Sequence, residues 1–241
     1  MRPTTLFCVL ILTLSSSHSA AAQRKPSEVP RSASPTARVT TEERHFASGD
    51  TELSGTLYIP HVSKRVPAIV VTHSASSPLR SASLYEHLKV MLPALGIAVF
   101  VYDRRGSGES GTQTAGGNFA VLADDAIAAA KTLKADPRID PRRIGTWGLS
   151  QGGWISPLAA SRSQDIAFVI AVSAPVVTAD IQMIFSSTNH LRANGHSQAE
   201  IDQMVATRKA VDDYMRGSAS KPGAQRMVDA AKTKPWFKYL Y

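Results

Sequence analysis

The chain has 241 residues, of which 43% are hydrophobic and 19% charged, and its formal net charge is +8. That length and balance exclude a disordered chain and suit one domain with a substantial buried core. The basic excess does not make a nucleic-acid surface, because Lys and Arg are scattered among acidic residues without interleaved stacking aromatics.

In chain order, Arg2 precedes a short apolar stretch from Leu6 to Leu14, and Ala20, Ala21 and Ala22 supply small residues before Gln23. This is the layout of a secretory signal peptide over residues 1–22, too short for a membrane-spanning helix. Export to the periplasm or beyond is therefore expected, without stable membrane insertion after cleavage. Cys8, the only cysteine, would leave with that segment, so no disulfide is expected. Residues 23–41 carry Pro26, Pro30 and Pro35 among many Ser and Ala, with Arg24, Lys25, Arg31 and Arg38. They read as a flexible linker to a domain over 42–241.

Arg44 to Ala47 and Leu53 to Ile59 alternate as two antiparallel strands around a turn at Gly49-Asp50. Two continuous apolar runs follow, from Ala68 to Thr72 and from Ile97 to Tyr102, as expected for strands covered on both faces. Between them Leu84, Leu88, Met91, Leu92 and Leu95 recur at helical spacing up to Gly96. A helix from about Asn118 to Ala135, a strand from Ile144 to Trp147, a helix from Ser150 and a strand from Phe168 to Val172 continue the alternation. The series predicts a three-layer α/β sheet, mostly parallel with an antiparallel start, whose site lies along one edge. After Pro175 come three consecutive helical patterns, from Asp180 to Ala193, Ile201 to Met215 and Ala224 to Lys232. Ser197 and Glu200 form a capping box for the middle one. Without intervening strands, they read as a helical cap inserted over 176–234.

Gly148-Leu149-Ser150-Gln151-Gly152 fits G-x-S-x-G between a predicted strand and a predicted helix, the context a nucleophile elbow requires. Such an elbow presents a strained serine hydroxyl at the sheet edge, and Gln151 at the helix start is a candidate oxyanion donor through its backbone N–H. A second backbone donor is expected after the third strand, at Ser74 or Ala75. His73 in that loop reads as structural rather than as a base, since no carboxylate stands nearby to orient it. Gly106, Gly108 and Gly111 spell G-x-G-x-x-G, but no helix starts there to receive a pyrophosphate; a tight turn braced by Asp103 and Arg104 is expected instead. The histidines lack metal-ligand spacing and there is no cysteine cluster, so neither metal nor cofactor is expected.

Together, Tyr102 to Ser110, Asp136 to Gly145 and Trp147 to Trp154 resemble the α/β-hydrolase superfamily, within it the bacterial exported esterase and serine-aminopeptidase-like branch. The resemblance runs from about Glu43 to Tyr241. It implies an acyl-forming nucleophile at Ser150, oxyanion donors near Ser74 and at Gln151, and a small-molecule ester or peptide-like substrate. It also implies two strands beyond the cap that carry the acid and the histidine. Pro235 to Tyr241 resembles the cap's exit, so the chain is expected to be C-terminally incomplete and its turnover impaired. Asp180, His190 and His196 are the local candidates to substitute for the missing partners. A non-catalytic binding protein on the same fold, or a non-functional fragment, is the alternative reading.

Overall fold

A computed structural model of the chain describes residues 38–112, 114, 115 and 118–240. The expected signal peptide and almost all of the expected linker lie outside the described residues. The described chain divides into two compact units, one ending at Ala174 and one beginning at Pro175.

The first unit is built on six strands: β1 (Val39–Ser48), β2 (Thr51–Pro60), β3 (Val66–Thr72), β4 (Ala98–Tyr102), β5 (Ile139–Leu149) and β6 (Phe168–Val172). Their order across the sheet is β1-β2-β4-β3-β5-β6. The β1–β2 and β2–β4 pairs are antiparallel and the remainder parallel. This is the α/β architecture with an antiparallel start that the strand patterns predict. The period-2 alternation of the central strands divides their side chains between two core layers. Ala68, Val70, Ala98 and Phe100 pack with α2 (Phe119–Lys134) and α3 (Gly152–Arg162), through Leu122, Leu133 and Ile155. Ile69, Val71, Val99 and Val101 pack on the opposite face with Tyr85 and with Leu88 of α1 (Glu86–Ala94). Burial on both faces is why β3 and β4 read as unbroken apolar runs.

Three boundaries differ from expectation. Strand β1 starts at Val39, inside the stretch read as linker, because Val39, Thr40 and Thr41 continue the ladder to Pro60, Ile59 and Tyr58. Their exposed, polar alternation hides a strand in sequence. Strand β5 begins at Ile139 rather than Ile144, and its register on β3 jumps from Val66↔Ile139 to Ala68↔Ile144. The intervening Pro141 lacks an N–H, and such a bulged segment carries no clean periodicity. In the Leu84–Leu95 segment a 3₁₀ turn (Ser83–Tyr85) precedes α1 and resets the phase. Tyr85, Leu88 and Lys89 are buried, whereas Leu84, Met91 and Leu95 are 39%, 60% and 66% exposed. Lys89 is tolerated inside because its stem is covered while its ammonium pairs with Glu86 at 3.2 Å.

The second unit comprises α4 (Ala179–Ala193), α5 (Gln198–Met215), α6 (Lys221–Ala231) and a short 3₁₀ turn (Phe237–Tyr239). Leu191, Ile201, Met204, Ala231, Trp236 and Leu240 form its own core. The Ser197–Glu200 capping box is present at the start of α5.

Candidate active site

Parallel pairing aligns Thr72 of β3 with Gly148 of β5, and Leu149 of β5 with Val172 of β6. The carboxyl ends of three adjacent strands therefore meet at one edge, where an open α/β sheet has room for a ligand. At that edge β5 turns sharply into α3. Ser150 sits on the turn with φ 53°, in the left-handed region that β-carbon sterics disfavour. The strain is held by neighbouring structure. Ser150 N–H donates to Val172 O at 3.0 Å, and Ser150 O accepts from Gly153 N–H at 2.8 Å. The two flanking glycines make so tight a turn possible. A β-carbon on Gly148 would stand 2.1 Å from Gly152 O, and one on Gly152 would stand 2.3 Å from Thr72 O.

Beneath the turn lies a buried polar knot that the sequence reading missed. Thr72 Oγ1 is 2.7 Å from Ser156 Oγ of α3 and 3.2 Å from Gly152 O. It ties the last residue of β3 to the first turn of α3. The only sequence signal for it is a hydroxyl that closes an apolar strand, which periodicity alone reads as a strand end.

Ser150 is exposed, and among the described residues its hydroxyl has no hydrogen-bond partner. Gln151 caps α3, and its N–H likewise has no partner among the described residues. A free N–H at a helix N-terminus, one residue after a strained serine, is positioned to receive developing negative charge.

The facing loop begins at His73, which is 2% exposed. Its Nε2 lies 2.6 Å from Tyr102 O, a group that only accepts, so this nitrogen carries the proton. The ring stands edge-on to Tyr102 and Tyr85, at centroid distances of 4.9 and 5.6 Å. Burial, with the nearby Arg104 guanidinium, pushes the His73 pKa down to about 3. The imidazole is thus a neutral structural group. Of the two N–H groups expected to face the substrate, that of Ser74 donates instead to Tyr85 Oη at 3.1 Å. That of Ala75, at an exposed position, has no partner among the described residues. Tyr85, which stands outside the predicted leucine repeat, in turn donates to Ser77 O at 2.8 Å, a second bond across the loop.

The glycine-rich segment after β4 is a tight turn closed by a bridge between Ser107 and Ser110. Asp103 accepts from the N–H groups of Arg80 and Glu109, at 2.8 and 3.0 Å. Arg104 reaches back to the loop carbonyls of Ser74 and His73, at 2.8 and 3.4 Å. Both residues brace the edge, as their positions predict.

The three substitute partners all belong to the second unit and are engaged there. Asp180, at the start of α4, pairs with Arg216 at 2.7 Å. Hydrogen bonds from Thr178 and Arg216 hold its carboxyl down at about 2. His190 packs on Tyr239 at 5.0 Å, and His196 packs on the same ring with its Nδ1 3.3 Å from Glu200. The structure therefore groups Ser150, Gln151 and the His73–Ala75 loop at one edge, and gives the acid and histidine candidates other partners.

Comparison with known proteins bears on the family and the fold. Over 112 residues the chain is 36% identical to a thiohydrolase of Arthrinium phaeospermum, an alignment covering 46% of this chain and 36% of that protein. An esterase of Pyrococcus furiosus superposes with a TM-score of 0.54 at 23% identity, over 64% of this chain and 56% of that one. A hypothetical protein of Pseudomonas aeruginosa superposes with a TM-score of 0.51 at 16% identity, over 93% of this chain and 80% of its own. Both structural likenesses speak to the fold alone. The chain spans about a third of the curated relative it matches and about half of the esterase. Residues 67–228, which run from β3 into α6 and include the elbow, match the family described as serine aminopeptidase, S33. The chain belongs to that family of α/β hydrolases.

Proposed function

We propose that the protein is a serine hydrolase that cleaves carboxylic ester or peptide-like acyl bonds through an acyl-enzyme on Ser150. The observation that carries this reading is the left-handed Ser150 on the β5–α3 turn, followed at once by the unpaired Gln151 N–H. Similarity to a thiohydrolase brings thioesters into the same substrate class.

In this reading Ser150 Oγ attacks the acyl carbon while its proton passes to solvent water acting as the base. The new oxyanion lies between the N–H groups of Gln151 and Ala75. The tetrahedral adduct collapses, the alcohol, thiol or amine leaves with a proton, and water then hydrolyses the acyl-serine to release the acid and restore Ser150. His73 is not that base: its Nε2–H is spent on Tyr102 O and its pKa of about 3 keeps the ring a poor proton acceptor at neutral pH. Nucleophile and oxyanion donors without a side-chain base retain only a residual rate, roughly 10³–10⁴ over water in systems where this has been dissected.

An active-site fluorophosphonate tests the proposal, because it forms an Oγ–P bond with loss of fluoride and needs no deacylation. Labelling is expected in the wild-type chain and lost in Ser150→Ala. Equal labelling of the two would remove Ser150 as the nucleophile.

A further inference from the structure

Two consecutive arginines follow β4, and the structure uses them in opposite ways. Arg105 forms a two-point pair with the buried Asp125, at 2.5 and 3.0 Å. Arg104 has no carboxylate partner among the described residues. Its Nη2 donates to Ser74 O at 2.8 Å and His73 O at 3.4 Å, and its Nη1 reaches Ala75 O at 3.5 Å. Its backbone N–H donates to Pro78 O at 2.8 Å, so one residue grips the loop at both ends. A half-buried guanidinium directed only at carbonyls leaves its positive charge with the loop rather than in an ion pair.

The Ser74 carbonyl and the Ala75 N–H belong to a single planar trans peptide, in which C=O and N–H point in opposite directions. A guanidinium that fixes the carbonyl on one side therefore fixes the N–H on the other. It also draws electron density toward the oxygen, and hydrogen-bonded groups polarised in this way become stronger donors. Tyr85 removes the competing donor by accepting from the Ser74 N–H.

We propose that Arg104 is a positioning residue for the oxyanion hole, acting through the Ser74–Ala75 peptide to aim and strengthen the Ala75 N–H. The inference rests on the reading of Ser150 as nucleophile and Ala75 as second donor. Arg104 touches no reacting atom; its effect passes through the loop.

The test measures the fluorophosphonate labelling rate of Ser150 in the full chain, for wild type, Arg104→Ala and Arg104→Lys, together with the Ala75 amide resonance in each. Losing one oxyanion donor costs about 10²–10³ in rate, so weakening and loosening one is expected to slow labelling about ten- to a hundredfold in Arg104→Ala. Arg104→Lys keeps the charge without the fork and is expected to fall between. Added ethylguanidinium should restore part of the Arg104→Ala rate, which a merely unfolded loop would not allow. The Ala75 amide proton should move upfield in both variants, by more than the amides of β6. Labelling within twofold of wild type in Arg104→Ala overturns the proposal, as does slower labelling with an unmoved Ala75 resonance. Should the wild-type chain itself fail to label, the nucleophile reading falls, and the Ala75 resonance in Arg104→Lys still decides whether Arg104 polarises this peptide.

Discussion

The buried His73 makes the stability of this protein depend on pH in a window where few other groups act. Its side chain is enclosed by Tyr85 and Tyr102, and donates Nε2–H to Tyr102 O, beside the Arg104 guanidinium. In the unfolded chain a histidine titrates near 6.5, whereas here its pKa is about 3. Between those values the unfolded state binds a proton that the folded state refuses. Stability therefore rises with pH across the window and is lost as pH falls below 6.5. The slope is half of about 1.4 kcal/mol per pH unit at pH 6.5 and approaches the full value below it, so lowering the pH from 6.5 to 4.5 should cost about 2 kcal/mol. Carboxylates held low by their partners, such as Glu42, Asp136 and Asp180, have the usual acid-side behaviour. Their contribution is present above the unfolded carboxylate pKa and is lost below about pH 4.5, in the lower part of this window, so the His73 slope is read at pH 4.5 and above. Urea unfolding followed by tryptophan fluorescence at pH 6.5, 5.5 and 4.5 measures the slope. His73→Gln keeps an N–H for Tyr102 O and removes the titration, so its profile should be flat by comparison. An unchanged slope in His73→Gln would refute the assignment of the proton to His73.

Two further predictions concern the Ser150 turn and the Arg105–Asp125 ion pair. At ordinary sites glycine is less stable than alanine by roughly 0.5–1 kcal/mol, but φ 53° at Ser150 reverses the preference. Ser150→Gly should therefore unfold at higher urea than Ser150→Ala, by about 1 kcal/mol, and alanine being equal or better would show that the turn is unstrained. Asp125 is 0% exposed and holds Arg105, so Asp125→Ala should cost about 3–5 kcal/mol by leaving a guanidinium uncompensated. Pairing it with Arg105→Met should recover much of that loss; a double variant as weak as the single one would mean that the pair is not the cause.

The elements legible in sequence were those whose neighbours impose a period. The doubly covered β3 and β4 announced themselves as apolar runs, and α5 by the Ser197–Glu200 box. The elbow was readable because its glycines answer a local demand for space, and His73 because an isolated histidine without a carboxylate has little catalytic use. What stayed hidden depends on partners distant in sequence. Val39 to Thr41 become strand through β2, and the start of β5 becomes strand through a bulge on β3. The Ser74 N–H was a reasonable oxyanion candidate until Tyr85, eleven residues away, took it. Arg104 was expected to brace a loop, but nothing in sequence says which carbonyl it holds.

The site's two halves are joined through one residue, and that explains why a strained serine can persist there. Thr72 O stands where a β-carbon of Gly152 would go, so β3 and α3 approach to a distance that only glycine permits. The same residue's hydroxyl then locks that approach by bonding Ser156 and Gly152 O. One residue later the chain enters the loop that offers the Ala75 N–H, anchored by His73 to β4 through Tyr102 O. The Ser150 turn and the facing loop thus hang from the same strand end, whose pairing of Thr72 with Gly148 is fixed by the sheet. Preorganisation of this kind comes from backbone register and buried side chains rather than from contacts with a ligand. A strain of about 1–3 kcal/mol at Ser150 is small beside the burial of β3, β4 and β5 that enforces it. The sheet can therefore hold the Ser150 hydroxyl and the Gln151 and Ala75 N–H groups at one edge without help from a ligand.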